Sequence, residues 1–169
     1  MTRYVTAVAG VLMFAFAAWA QSSPPQHQHV TPNLIDGAVH PELIPDSMAY
    51  RLYLVAVSTG QNPTEAEQQR QRVHVTRTRL SDTDQQIFTT ILSDFRTKYD
   101  ALVAEYNDSA KAANARNQSA DVHTLLTKLD DLVQSTRDTI SLRLSSHGAA
   151  KLHAFVVSEK KNMKMTEEN

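Results

Sequence analysis

Residues 81–106 read SDTDQQIFTTILSDFRTKYDALVAEY, and this stretch indicates the fold class. Ser81 is followed by acidic residues within one helical turn, which is typical of the start of an α-helix. The large apolar residues then recur in alternating steps of four and three, which predicts one long helix with an apolar stripe that packs against another helix. The stripe comprises Phe88, Leu92, Phe95, Tyr99, Leu102 and Tyr106, and Ile87, Ile91 and Val103 widen it.

A second stripe with the same spacing begins after Asp121. It comprises Val122, Leu126, Leu129, Val133, Thr136 and Ile140, with Leu125 and Leu132 beside it. The polar residues 107–120 lie between the stripes and are either an extension of the first helix or the bend, which we expect near 114–119. All six prolines lie before Thr64, so the rest of the chain lacks the strongest helix breaker. We therefore predict an all-α fold, an antiparallel helical bundle with a long helical hairpin.

Two shorter helices are predicted before the hairpin. Asp46 is expected to cap a helix over 47–59 that ends at Gly60, and Asn62 to cap the next helix, with Pro63 at its first position. The first of these has a wide apolar face made of Met48, Leu52 and Val55 with Tyr53, Leu54 and Val57. The second helix is expected to reach about Leu80. Over 71–80 a short strand is the alternative, because β-branched residues alternate there.

One further helix is predicted after the hairpin. Ser145 is its expected cap. Three lysines near its C-terminal end should stabilise the helix, because their positive charges interact favourably with the negative end of the helix dipole. The lysines are Lys160, Lys161 and Lys164, and the residues expected to face inward are Leu152, Phe155, Val156 and Met163.

The first 20 residues carry a pattern typical of export. Arg3 precedes an uncharged, largely apolar run that closes on Ala18-Trp19-Ala20, the small-x-small pattern that signal peptidase accepts. The run is shorter than the roughly 20 residues that a membrane span needs. We expect 1–20 to be a cleaved signal peptide, and the mature protein to be periplasmic or secreted with no stable membrane anchor.

The segment after the leader differs in composition from the rest of the chain. Residues 21–45 hold five of the six prolines and three of the seven histidines. We expect a flexible, extended arm here, whose end lays Leu43 and Ile44 against the domain. The helical domain is then expected to cover 46–165, and 166–169 to be a frayed tail.

The composition and the missing motifs exclude several classes of chemistry. The chain has no cysteine, which excludes disulfides, thiol nucleophiles and thiolate metal sites. With 17 basic and 18 acidic residues, the net charge is −1, so nothing favours nucleic acid as a partner. The sequence contains neither a Gly-x-Ser-x-Gly elbow nor a His-Glu-x-x-His pair. We therefore expect no enzyme activity, no catalytic residue and no cofactor.

The histidines of the arm are the candidate metal ligands. His27, His29 and His40 could present imidazoles to copper, nickel or zinc. The alternative is a solvated polar arm that binds no metal. The other histidines lie in separate segments, where we expect structural or surface roles; they are His74, His123, His147 and His153.

Two predicted helix starts share a leucine-serine pair. Residues 80–84 read LSDTD and residues 144–148 read LSSHG. They resemble the Leu-Thr-x-x-Gln helix starts of the periplasmic Spy-type chaperones, which are exported, cysteine-poor helical proteins; Asp84 and Gly148 stand where that family has glutamine. Residues 41–46 read PELIPD and lead into AYRL at 49–52, and with this stretch the chain is also similar to uncharacterised exported bacterial all-helical proteins, a likeness that implies no activity.

These observations rank the functions that remain. The leading hypothesis is a non-enzymatic exported protein that binds another protein or peptide in the cell envelope, in a chaperone-like or stress-related role. The alternatives are a metal-binding protein that uses the histidine arm, and an enzyme of unrecognised type whose site forms only in three dimensions. The heptad stripes allow a homodimer as well as an intramolecular hairpin.

Overall fold

The computed structural model describes residues 34–166, and the predicted signal peptide and most of the predicted arm lie outside them. Five helices form the body of the structure: α1 (Asp46–Val57), α2 (Glu65–Arg77), α3 (Asp82–Asn114), α4 (Val122–Arg143) and α5 (Ser146–Glu159). Two short strands, β1 (Leu34–Asp36) and β2 (Lys164–Thr166), pair antiparallel. The predicted all-α helical bundle is confirmed. Among the described residues, no helix combines the length and the apolar character that crossing a membrane would require.

The helical hairpin consists of α3 and α4, which make the most extensive contact between any two helices. The predicted cap of α3 is confirmed, since the side chain of Ser81 accepts a hydrogen bond from the Asp84 amide. The cap of α4 is Asp121, whose side chain accepts a hydrogen bond from the Thr124 amide. Helix α3 continues to Asn114, so 107–120 is helical in its first half and forms the bend in its second. Both alternatives for this segment therefore hold, each for one part of it.

The core fills only one end of the hairpin. Side chains of α1 and α5 pack there against α3 and α4, and the buried apolar residues of the hairpin are Phe88, Ile91, Leu92, Phe95, Leu132, Val133 and Ile140. Between Phe95 and Leu132 no described side chain is buried. We call residues 96–131 the distal hairpin.

Helix α1 is placed differently from the prediction. Asp46 is its first residue and not its cap, because the cap position is held by Pro45 and the carboxylate of Asp46 pairs with Lys160. The helix ends at Val57, and Gly60 takes no left-handed conformation. Because α1 contacts all four other helices, its core face is broad and includes two aromatic rings. Its buried residues are Ala49, Tyr50, Tyr53, Leu54 and Val57, whereas Leu52, expected in the core, is 40% exposed.

Helix α2 begins two residues later than predicted. Thr64, not Asn62, is the N-cap, and it forms a capping box with Glu67 in which each side chain bonds to the other's backbone amide. Residues 71–77 are helical, which excludes the strand alternative there. The chain then turns through Arg79, whose φ of 54° is left-handed, before α3 begins.

The described end of the predicted arm is ordered, and so is part of the predicted tail. After β1 the chain forms a single 3-10 turn, Pro41–Leu43, and then buries Ile44, while Leu43 stays 54% exposed. Thr166 lies in β2, not in a frayed tail. Lys160 and Lys164 lie beyond the end of α5 and form ion pairs with Asp46 and Asp36.

Candidate functional site

An open groove of about 670 Å³ lies between α1, α4 and β2. We call it the β2 groove. Helix α1 contributes three residues, α4 contributes four and β2 contributes all three of its own. The lining residues are Met48, Arg51, Leu52, His123, Leu126, Thr127, Asp130, Lys164, Met165 and Thr166.

The apolar part of the β2 groove comes from four side chains. Met48 and Leu52 lie one turn apart on α1, Leu126 lies on α4, and Met165 is the central residue of β2. Two of the four are methionines, whose unbranched and polarisable side chains adapt to differently shaped ligands. Leu52, which is 40% exposed, lies beside them. Part of the apolar surface of the groove is therefore in contact with water when no ligand is bound.

The rim of the β2 groove is polar and mostly basic. The Arg51 guanidinium lies 3.4 Å from the carboxylate of Asp130 and also contacts the sulfur of Met48 at 2.9 Å. The Lys164 ammonium lies 3.0 Å from the carboxylate of Asp36, on the neighbouring strand. A hydrogen bond from the Ala38 amide and the Lys164 pair lower the pKa of Asp36, so this carboxylate stays charged and holds Lys164 beside the groove.

The strand β2 has one paired edge and one open edge among the described residues. Ile35 lies opposite Met165, and the Gly37 amide donates to the Met163 carbonyl at 2.9 Å. Since the backbone groups of an antiparallel strand point alternately to its two sides, Met165 bonds to β1 while the amides and carbonyls of Lys164 and Thr166 point away from it. Within residues 34–166 no further strand covers this edge.

A second, smaller groove of about 250 Å³ lies between the helices of the distal hairpin. Leu102, Tyr106 and Leu125 line it, and a Glu105–Lys128 ion pair crosses from α3 to α4 beside it. Leu102 and Tyr106 belong to the first predicted heptad stripe, and Leu125 lies beside the second. It has no strand edge and fewer contributing elements than the β2 groove, so we regard it as the open continuation of the hairpin contact.

A cluster of ionisable side chains joins α1, α4 and α5. The ring of Tyr50 stacks on that of His153, whose Nδ1 lies 3.4 Å from the tyrosine hydroxyl. The Arg137 guanidinium lies 4.8 Å from the centre of the Tyr50 ring. Burial raises the pKa of Tyr50, and the hydrogen bond from Lys160 lowers that of Asp46. The tyrosine therefore stays neutral and the carboxylate charged, an arrangement that holds three helices together and needs no ligand.

The two helix starts singled out for their leucine-serine pairs meet in the structure. The Asp84 carboxylate accepts hydrogen bonds from the amide of Ser145 at 2.8 Å and from its hydroxyl at 2.7 Å, and also from the hydroxyl of Ser81 at 3.0 Å. Gly148 lies against this carboxylate, where a β-carbon would overlap it. We call these four residues the serine junction. Its contacts are structural, because the two serine hydroxyls and the Asp84 carboxylate all bond to one another within the junction.

The candidate metal ligands are not brought together by the described structure. His27 and His29 lie outside the described residues, and His40 bonds through Nδ1 to the Glu42 carboxylate at 3.1 Å with both side chains exposed. Across residues 34–166 no group of three histidine, aspartate or glutamate side chains is placed to hold a metal ion. Metal binding by the arm stays a prediction.

Sequence reasoning missed the β2 groove. It assigned Met48 and Leu52 to the core and placed Lys164 near a helix end. One signal was present: α1 carries more large apolar residues than one core face holds, since Met48 and Leu52 stand apart from the buried Tyr50, Tyr53 and Leu54. Nothing in a three-residue segment signals a strand such as β2.

Comparison of the chain with protein-family models, with curated proteins and with solved structures finds no match in any of the three.

Proposed function

We propose that this is an exported, non-enzymatic protein that binds exposed apolar segments of other proteins in the cell envelope, in a chaperone-like role, and that the β2 groove is its binding surface. The observation that carries the proposal is the exposed leucine and two methionines of an open groove, at residues 48, 52 and 165. The export signal read from 1–20 supports the location.

The composition of the groove favours a partner with variable sequence. Methionine side chains can repack around differently shaped apolar residues, and their use is typical of surfaces that bind several partners. The charged rim keeps the apolar part narrow, so the free protein exposes only a small apolar patch. This balance suits a protein that must stay dispersed until it meets an unfolded segment.

The experiment that tests the proposal uses the mature chain, 21–169, and α-lactalbumin unfolded by reduction of its disulfides. The reductant leaves this protein unchanged because it has no cysteine. We expect the wild type to suppress client aggregation at equimolar ratio. Leu52→Glu, which places a charge in the apolar part of the groove, should weaken client binding by at least about tenfold, as loss of a central apolar contact does.

A matched control exists on α4. Leu142 is 85% exposed and lines none of the grooves described above, so Leu142→Glu adds the same charge away from the β2 groove. We expect it to bind clients as the wild type does. Equal loss in both variants, or none in either, would contradict the assignment of the groove, and a wild type that neither binds nor protects the client would contradict the function.

A further inference from the structure

We propose that the bound segment is extended and adds to the open edge of β2 as a third strand, with apolar and acidic residues alternating along it. This inference rests on the proposed function and specifies its ligand. It follows from the direction of the β2 backbone groups, from the position of β2 at the groove, and from the charges around it.

The backbone of β2 offers a template for such a strand. The amides and carbonyls of Lys164 and Thr166 point away from β1, and no hydrogen bond to them is found within residues 34–166. Exposed strand edges bind extended chains through the main-chain ladder, which gives affinity without demanding one sequence. All three residues of β2 line the groove and none of β1 does, so the open edge is the one that borders the groove.

The two faces of the sheet predict where the ligand's side chains lie. Ile35 and Met165 share the half-buried face, which is turned toward the helices, and the exposed Lys164 and Thr166 share the other. Successive side chains of an added strand alternate between these faces. Every second ligand residue therefore lies over the apolar part of the groove beside Leu52, and the residues between them lie on the side of Lys164.

The charge at Lys164 favours acidic residues at those intervening positions. The Lys164 side chain pairs with Asp36 on its β1 side but is still 63% exposed, and the single carboxylate in the lining, that of Asp130, pairs with Arg51 on the helices. Cross-strand pairs of opposite charge stabilise a sheet, whereas like charges directly opposite destabilise it. A segment that alternates valine or isoleucine with glutamate fits both faces.

The test uses a capped peptide of sequence Glu-Val-Glu-Ile-Glu-Val-Glu and the mature wild-type protein. We expect amide exchange at Lys164 and Thr166, followed by NMR, to slow by about tenfold or more at saturating peptide. The Met165 amide, which already bonds to β1, should change less. The counterpart peptide with lysine in place of glutamate should bind at least about tenfold more weakly.

Substitution at Thr166 separates the backbone from the side chain. Thr166→Pro removes an amide that faces the ligand and leaves the bonds to β1 intact, so it should weaken peptide binding, while the isosteric Thr166→Val should not. A second result would overturn strand addition and leave the proposed function standing. In it, Leu52→Glu abolishes peptide binding, but the peptide bound to the wild type leaves the Lys164 and Thr166 amides unprotected. Equal binding of the lysine peptide would overturn the acidic preference. Failure to bind any unfolded client, by contrast, would overturn the proposed function itself.

Discussion

Asp84 joins the starts of two helices, bonding to a cap residue, Ser145, that lies 61 residues later in the chain. It is the third residue of α3 and hence in the turn capped by Ser81, and its carboxylate also reaches the Ser145 amide and hydroxyl at the cap of α5. One side chain thus satisfies donors at two helix ends, where backbone amides otherwise lack partners. The absence of a side chain at Gly148 is what leaves room for it.

Replacing Gly148 tests this junction. Gly148→Ala should lower the free energy of unfolding by about 1–3 kcal/mol, because the added β-carbon displaces the Asp84 carboxylate from its hydrogen bonds. In an exposed helix the same change normally stabilises by up to about 1 kcal/mol. Urea denaturation of the single variant measures the difference.

The matched background is Asp84→Ala, where the overlap is gone. There we expect Gly148→Ala to be neutral or stabilising, so the two substitutions should be strongly non-additive. Equal destabilisation by Gly148→Ala in both backgrounds would show that the carboxylate is not what requires the glycine.

Acid should weaken the same junction. The hydrogen bonds from the Ser145 amide and hydroxyl lower the pKa of Asp84. A carboxylate with a lowered pKa in the folded state adds stability that is fully present above its unfolded pKa of about 3.9, and that disappears as the pH falls through the folded value. We expect wild type to melt at a higher temperature than Asp84→Asn at pH 7, and the difference to shrink steadily below pH of about 4. A difference that stays constant on acidification would contradict this linkage.

At the scale of single elements, two capping patterns overlap in the sequence at the start of α2, and the structure shows which of them is used. Asn62 followed by a proline and Thr64 followed by Glu67 are both acceptable starts. In the structure Glu67 bonds back to the Thr64 amide at 2.8 Å, and these bonds lower the pKa of the glutamate. The capping box satisfies two backbone groups at once, which a lone asparagine cap cannot do.

Alanine substitution distinguishes the two caps. Thr64→Ala should lower the free energy of unfolding by about 1 kcal/mol, the usual loss for a capping side chain. Asn62→Ala is the control and should change it by less than about 0.5 kcal/mol, the range typical of exposed positions. Chemical denaturation followed by circular dichroism measures both. A larger effect at Asn62 than at Thr64 would contradict the assignment of the cap to Thr64.

Across the whole molecule, stability is concentrated at one end of the hairpin. The core ends at Phe95 and Leu132, and the distal hairpin of 96–131 contains half-buried leucines and tyrosines but no buried side chain. Helices without buried contacts open with less free energy than those around a core. The ion pair between Glu105 and Lys128 is exposed and adds little.

Hydrogen exchange resolved along the chain should show this gradient. We expect amides of the distal hairpin to exchange faster than those of 82–95 and 132–143, in the same helices, because only the latter unfold with the core. Uniform protection along α3 at low protein concentration would contradict it. Protection of the distal hairpin that rises with protein concentration would instead indicate a homodimer through the same stripes, the other arrangement that heptad spacing allows.

Local signals in the sequence determined the helices and most of their starts. Ser81 and Ser145 cap the helices they were expected to cap, because capping needs only a side-chain oxygen and the amides within the next turn. The apolar spacing after Ser81 determined the hairpin, since a stripe that recurs every three or four residues can be buried only by a neighbouring helix.

Tertiary contacts decided which apolar residues are covered and which remain for a partner. The apolar periodicity of α1 placed both Leu52 and Tyr53 on its predicted core face. The packing of the other four helices around α1 buries the tyrosine and leaves the leucine in the β2 groove. Strand β2 exists because β1, some 130 residues earlier, lies beside it. Neither fact is local, because burial and strand pairing depend on neighbours far along the chain. The serine motifs could be read from the sequence, but their meeting at Asp84 and Gly148 was decided by the fold.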